Sequence, residues 1–542
     1  KMDNFFILVL KFYLFYLFFF FYGRALISTF LEKDRIHDID KVKIFGIEIH
    51  IFYPIFGVMF LGNISFLFNF LFPLKSNYFY IFLFLLLINL KYKINPSNFK
   101  RFLIFSSIFL PLIISSYEIG FHYDSGLYHL NNQLWLRESN IVFGFINIYS
   151  VFGVSSIFEY ISALLWIDKS FILLHFLNLL FIGFLYKVMM FTTLYTKNEK
   201  LKIGFLMLLL FSFMDNFGIS GGRNGFISIQ SIGKQDMPIG VIFLFLSVFI
   251  LSSLVNKSFK KIELVIVSFL TLFLFQLKIS SFPIFLLYFA YLYFFMKNKS
   301  VKTTIKSISP VLLLGMFWII KTVIHTGCII FPLSMTCFDN FYWVNLEYIQ
   351  VIEDVSVDYS MSYYFNEPFS SWTEVYFDKP LNRTVALNFL ISFGLLITLN
   401  LRKIRNDITL KNNIIIFLFI ILSLFFYIRF GPDIRYLVGF QMFLIVLIGF
   451  YSKIKINVNR KILFLAIFFS AMLLPRLQTF LDFNINSAPN LNLPIPEMSE
   501  FDGRYIPRDG DQCWINLECS ANRSSFDINK NNFFKVAYLV TD

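Results

Sequence analysis

The stretch "FHYDSGLYHL", residues 121 to 130, gathers Asp124, His122, His129, Tyr123 and Tyr128 into ten positions of a chain that is otherwise strongly apolar. Carboxylate, imidazole and phenol together can move protons. If partial burial raises its pKa, Asp124 suits a general base acting on an acceptor hydroxyl or amine. The same letters also read as an Asp N-cap opening a helical turn. Two His and one Asp within eight residues form a loose metal pattern, against which stands simple solvation of both imidazoles at an interface; no metal ligand is assigned.

Three further stretches carry charge where apolar residues dominate. The run "DNFGISGGRNGFISIQSIGKQDMPIG" combines Gly and Ser with Arg223, Lys234 and Asp236. Its "SGGRNG" is too irregular for a P-loop or a dinucleotide fingerprint, which leaves a polar loop with cations at the height of lipid phosphates. Lys278 interrupts "LFLFQLKISSFPIF", and an ammonium near hydrocarbon needs either an anionic partner or a route to snorkel to the headgroups. In "IRFGPDIRYLVGF", Arg429 and Arg435 suit bidentate binding of a phosphate. The alternative there is an internal pair of Arg435 with Asp433 or Asp236. The acidic and aromatic segment 326 to 384, with Trp343 and Trp372, reads as a sugar-stacking surface or an ordinary solvated cap.

The elements that must position these residues are membrane helices. Of 542 residues, 57% are hydrophobic and 15% charged, with 77 Phe, far from a soluble balance. Continuously apolar runs such as "FYLFYLFFFFYG" exclude a barrel, whose strands alternate. Spans are expected near 4 to 22, 50 to 72, 78 to 90, 102 to 117, 171 to 191, 203 to 216, 238 to 255, 262 to 277, 280 to 296, 309 to 325, 385 to 400, 413 to 429, 437 to 451 and 461 to 475. That is about fourteen, in an all-α polytopic protein. The first is read as a retained helix, because no small-residue cleavage site follows it. Lys and Arg cluster in alternate connections, so the positive-inside rule places those in the cytoplasm. Loops 118 to 168, 217 to 237, 326 to 384 and 430 to 436 then face outward, with both termini extracytoplasmic and the chain in the cytoplasmic (inner) membrane. The first of these loops is apolar in its second half and is expected to lie flat as an interfacial helix pair. The net charge of +13 reads as topology and contact with membrane lipids; no nucleic-acid partner is implied.

Cys328, Cys337, Cys513 and Cys519 all fall in outward segments. Oxidising surroundings favour disulfides, and loop closure favours the local pairs Cys328 with Cys337 and Cys513 with Cys519, although three connectivities exist. Zinc is the rival, but neither pair has ligand spacing. The tail from 476 is Pro- and Asn-rich and is expected to be extended, disulfide-pinned and draped over the outer face. No internal repeat suggests the inverted halves of a transporter, and apart from Lys278 few charges lie mid-span, which counts against ion-coupled transport.

"YDSGLYHLNNQLWLRESNIVFGFINIYSVFG", the Lys of "LKISS", "TGCIIFPLSMTCFDNFYW", "GPDIRY" and "GDQCWINLEC" together resemble a group of large, uncharacterised bacterial membrane proteins, and the arrangement is similar to the GT-C superfamily of glycosyltransferases. This resemblance implies transfer of a sugar from a polyprenyl-phosphate carrier to a glycan, lipid or protein acceptor on the outer face, either without metal or assisted by a divalent ion. By position it implies Asp124 as base or acceptor-orienting acid and Asp236 as a second acidic residue. Lys278 and Arg435 would neutralise the departing lipid phosphate, with Tyr128, His129, Arg223 and Lys234 on the substrate side. GT-C enzymes place their acidic loop after the first helix, whereas three more spans precede it here. The implied organisation is an N-terminal module (1–101), a GT-C-like core (102–325), an outer loop (326–384), C-terminal helices (385–475) and an outer tail (476–542). The rivals are a polysaccharide polymerase or ligase relying on Arg435, and a flippase or non-catalytic subunit of a membrane complex.

Overall fold

The computed structural model describes residues 4–30, 42–75, 99–118, 120–167, 171–216, 231–354, 369–401, 410–429, 436–452 and 458–474. Within the tail it describes 479, 481–487, 495–501, 504–508, 510–517, 519, 526–529 and 533–539. The protein is mostly helical. Apolar runs become helices because backbone groups bond within their own segment, leaving side chains free to pack or to face hydrocarbon.

The chain opens with α1 (Phe5–Phe30) and α2 (Tyr53–Asn69), followed by α3 (Phe99–Ser106) and α4 (Phe109–Ile114). Between the fourth and fifth expected spans lie two short helices, α5 (Leu130–Glu138) and α6 (Ile157–Leu164). The bundle continues through α7 (Ile172–Leu194), α8 (Glu199–Asn216), α9 (Asp236–Asn256), α10 (Lys261–Leu277), α11 (Ile284–Asn298) and α12 (Val301–Thr326). Then come α13 (Phe369–Asp378), α14 (Pro380–Leu401), α15 (Leu410–Arg429), α16 (Val438–Tyr451) and α17 (Arg460–Met472). Each expected span holds helix except 78 to 90, which lies outside the described residues. Five segments have the length and apolar composition to cross a bilayer: Phe5–Thr29, Arg101–Glu118, Ile172–Leu194, Asp236–Asn256 and Val301–Thr326. Others, such as Tyr53–Asn69 and Val438–Tyr451, are apolar but shorter.

Position in the bundle follows from which faces are apolar. Every residue of α16 is buried, between α8 and α9, and α7 is buried along nearly its whole length. In contrast α12, α14 and α15 turn Leu312, Leu313, Met316, Leu390, Phe417 and Phe425 outward. An apolar exterior around an apolar core is the arrangement hydrocarbon solvates. α1 and α2 touch backbone to backbone, since a Cβ on Gly23 would lie 1.7 Å from the Tyr53 carbonyl oxygen and one on Gly57 1.9 Å from that of Phe19. Only glycine allows that approach.

Three expectations need correction. First, α6 does not lie on a surface: all its residues are buried and it packs on α2, α5 and α10, its apolar side chains turned into the bundle and its one acid, Glu159, met by donors. At eight residues it is too short to cross.

Second, strands qualify the all-α expectation. Among the described residues, β1 (Lys43–Ile44) pairs with β2 (Ile47–Glu48), β3 (Met498–Phe501) with β4 (Arg504–Pro507), and β5 (Phe526–Asn529) with β6 (Val536–Leu539), all antiparallel. The tail is therefore hairpin-built, not merely extended; its cystine joins Cys513 to Cys519, and a second, in the segment 326 to 384, joins Cys328 to Cys337, as loop closure favours.

Third, Lys278 is not nearly alone among the helices. Lys187 is buried in α7, where its Nζ donates to Tyr16 Oη at 2.5 Å and sits 4.1 Å from the centre of that ring. Lys321 is buried in α12, donates to the Ser155 carbonyl at 3.2 Å and lies 4.3 Å from the Trp318 ring. Ring quadrupoles and hydroxyls replace the carboxylate that a buried ammonium otherwise needs.

Candidate functional site

The site begins where two loops run side by side. Phe121 bridges Ile232 in parallel register; the Ile232 amide donates to the Gly120 carbonyl at 3.1 Å, and the His122 amide donates to the Ile232 carbonyl at 3.2 Å. Ser125 Oγ also donates to the Ile232 carbonyl. Gly233 follows at φ +89°, and a Cβ there would lie 2.5 Å from Ser125 Oγ. Both the backbone sign and the space therefore demand glycine. This seam presents Lys234, Gln235 and Asp236 to three different partners.

Lys234 reaches Asp124, Nζ to Oδ2 at 2.7 Å, and His122 Nδ1 lies 3.3 Å from the same oxygen. Asp124 precedes a π-turn over Ser125–His129 that leads into α5, and its carboxylate makes no capping bond to that turn. The cap reading is thus replaced by an ion pair. The expected rise in its pKa is also corrected. Burial does push it upward, but the Lys234 hydrogen bond and charge, His122 and a hydrogen bond from Tyr128 outweigh burial, so the carboxyl titrates below its ordinary value. The Tyr128 phenol moves the other way, pushed up by burial and by Asp124, and stays a neutral donor.

Gln235 reaches Glu159, a residue the sequence reading passed over. Glu159 is buried in α6 and accepts from Gln235 Nε2 at 2.8 Å and Gln133 Nε2 at 2.7 Å, with His129 Nδ1 at 2.5 Å. Trp166 Nε1 in turn donates to Gln133 Oε1 at 2.7 Å. The available signal was a lone acid within "SSIFEYISALLW", since a buried carboxylate persists only where donors surround it.

Asp236 opens α9 and reaches Lys278 at the end of α10, Oδ1 to Nζ at 3.2 Å. An acid at a helix start and a base at a helix end each complement the local dipole. Lys278 also lies 3.9 Å from the centre of the Tyr436 ring, so the ammonium is partnered and does not simply snorkel. Its side chain stays 35% exposed.

A partly open cavity of about 10 Å³, the room of a single water, adjoins this cluster. Ser125, His129, Gln133, Ser162, Asn178 and Gln235 supply its polar wall. Asn178 is buried and its Oδ1 has no hydrogen-bond partner among the described residues. Such an acceptor left unpaired costs about 1–3 kcal/mol.

The tail closes over the opposite flank of the Asp124 turn. The Cys513 amide donates to the Gly126 carbonyl at 2.8 Å, Gln512 Nε2 to the Tyr123 carbonyl at 3.2 Å, and the Tyr123 hydroxyl bonds Asp511. Asn131 Nδ2 donates to the Cys519 carbonyl at 3.2 Å.

The fold therefore brings together Asp124, Tyr128, His129, Lys234, Asp236 and Lys278. Arg223 and Arg435, with Asp433, lie outside the described residues. Among the described residues no group of three or more His, Cys, Asp or Glu side chains is placed to hold a metal ion.

A family model described as a domain of unknown function, DUF8201, matches residues 5–442. The chain belongs to this family. Asp124, His129, Glu159, Lys234, Asp236 and Lys278 all fall inside the matched region, whereas the cystine loop 513–519 falls beyond it. No curated protein and no solved structure matches the chain.

Proposed function

We propose that this protein is a membrane glycosyltransferase of GT-C-like organisation. It crosses the cytoplasmic membrane about fourteen times with both termini outside, and moves a sugar from a polyprenyl-phosphate carrier to a glycan, lipid or protein acceptor on the outer face. The observation that carries the reading is that three consecutive residues, Lys234, Gln235 and Asp236, engage Asp124, Glu159 and Lys278, which come from three separate parts of the chain. Consecutive Cα atoms are about 3.8 Å apart, so acid, base and cation lie within one small region.

In this reading Lys278, with Arg435 and Arg223, holds the phosphate, whose charge grows as the bond to the anomeric carbon breaks. Asp124 is kept anionic by Lys234, which makes it a weak base and a good hydrogen-bond acceptor. It therefore orients the attacking acceptor hydroxyl, and the sugar inverts at its anomeric carbon.

The test is release of polyprenyl phosphate, read by mass spectrometry, when the full chain in lipid nanodiscs is given a panel of polyprenyl-phosphate hexoses with membrane extract as acceptor. Wild type should release the lipid phosphate, and Asp124→Asn and Lys278→Gln should each lower the rate at least about tenfold. Full activity in both variants would contradict the proposal. Collapse with Arg435→Ala alone would favour a polymerase or ligase.

A further inference from the structure

Asp124 was the natural choice of base, yet its surroundings weaken it in that role. It bonds an ammonium at 2.7 Å and accepts from a phenol, and its affinity for a proton is lowered. A transfer that consumes a hydroxyl still has a proton to place.

The second carboxylate of the region serves a different arrangement. The Glu159 oxygens are acceptors for Gln133 and Gln235, whose amide groups donate, so the ring nitrogen facing that carboxylate, His129 Nδ1, carries the hydrogen. In a neutral imidazole this leaves Nε2 as the lone-pair nitrogen. His129 and Asn178 both line the cavity, and Asn178 Oδ1 is a buried acceptor with no donor among the described residues. The cavity has room for one water-sized group, the size of a hydroxyl. One ligand hydroxyl fills that room, its O–H directed at Nε2.

We propose that His129, oriented by Glu159, is the general base of the reaction, and that the acceptor presents one hydroxyl, as a sugar can, to His129 in the cavity that Asn178 also lines. This rests on the transferase reading above. The acceptor oxygen forms a bond to the anomeric carbon, and the bond from that carbon to the carrier phosphate breaks with its electron pair going to the phosphate oxygen. The acceptor proton passes to His129 Nε2, and the resulting imidazolium stays paired with Glu159. Glu159 is a positioning residue; His129 touches the substrate.

The chain has six histidines, so ring nitrogen signals can be assigned by single substitution. The experiment records ring-15N spectra of the full chain in nanodiscs, together with release of polyprenyl phosphate, for wild type, His129→Gln, Glu159→Gln and Glu159→Asp. Wild type should show His129 protonated at Nδ1 and bare at Nε2. In Glu159→Gln an amide can donate to Nδ1, so the hydrogen should move to Nε2 and turnover should fall at least ~100-fold. His129→Gln should fall equally, with KM little changed, and Glu159→Asp should restore part of the rate and the original tautomer. A wild-type His129 with its hydrogen on Nε2 overturns the proposal, as does wild-type turnover in His129→Gln. Should wild type show the stated tautomer but release no lipid phosphate from any donor, the transferase reading fails and the proton step falls with it, while the orientation of the ring by Glu159 stands.

Discussion

Asp124 and Glu159 are two carboxylates served by neighbouring residues of one strand-like seam, yet they are held in opposite ways. The Asp124 side chain is 22% exposed and faces the Lys234 ammonium, with the His122 ring beside it. That of Glu159 is 4% exposed and faces two neutral amides and an imidazole. An ion pair near solvent is adjustable, because water can replace either partner. A carboxylate that is 4% exposed and held by three donors is a fixed orienting element, because the three bonds together set its position. Environments that separate two acids in this manner also separate their roles. Glu159 aims a ring, whereas Asp124 stays charged and accessible.

The contrast can be broken by removing each acid. Glu159→Ala strands three donors, Gln133 buried and His129 and Gln235 half-buried, and should cost about 2 kcal/mol of stability, measured by equilibrium unfolding in mixed micelles. A loss below that of Asp124→Ala would reverse the ranking. Gly233→Ala attacks the seam common to both acids. It forces a side chain into positive φ against Ser125 Oγ, and should cost about 2 kcal/mol while disturbing both acids together.

Opening one cystine sharpens the comparison further. Replacing Cys513 and Cys519 by Ser releases a short loop, at about 2 kcal/mol by chain entropy. It loosens the turn at Gly126 and Tyr123, and so should alter the accessibility of Asp124 to carboxylate-modifying carbodiimide without changing the tautomer of His129.

The smallest effect is a pH slope. The Asp124 pKa is lowered in the folded protein, so its stabilising contribution is fully present above the unfolded value of 3.8 and is lost as pH falls through the lower folded value. The titration of Asp124 itself should therefore leave the melting temperature flat between pH 5 and 8. In a His122→Gln background, the difference between Asp124 and Asp124→Asn should shrink only below about pH 4.

Much of this was legible beforehand. Long apolar runs bounded by Lys and Arg give the helices, and the four cysteines give the two bridges. What escaped depends on partners far along the chain. Asp124 alone reads as a base or a cap; only Lys234, 110 positions away, decides its charge. Glu159 and Lys187 were hidden inside apolar runs, where hydropathy registers a span or an interfacial helix and overlooks the single polar residue that the bundle must satisfy. The β3–β4 hairpin did carry a local signal, since its register leaves only the Asp-Gly dipeptide between Phe501 and Arg504, a favoured two-residue connection. The Pro- and Asn-rich setting obscured it.

The most direct test of the central claim is a cryo-EM map of the full chain in nanodiscs containing a polyprenyl phosphate. The account predicts lipid phosphate density against Lys278, on the same end of the bundle as the Asp124–Lys234 pair and open to His129. Phosphate bound at the other end of the helices, or protein walling Asp124 and His129 off from it, would contradict the account.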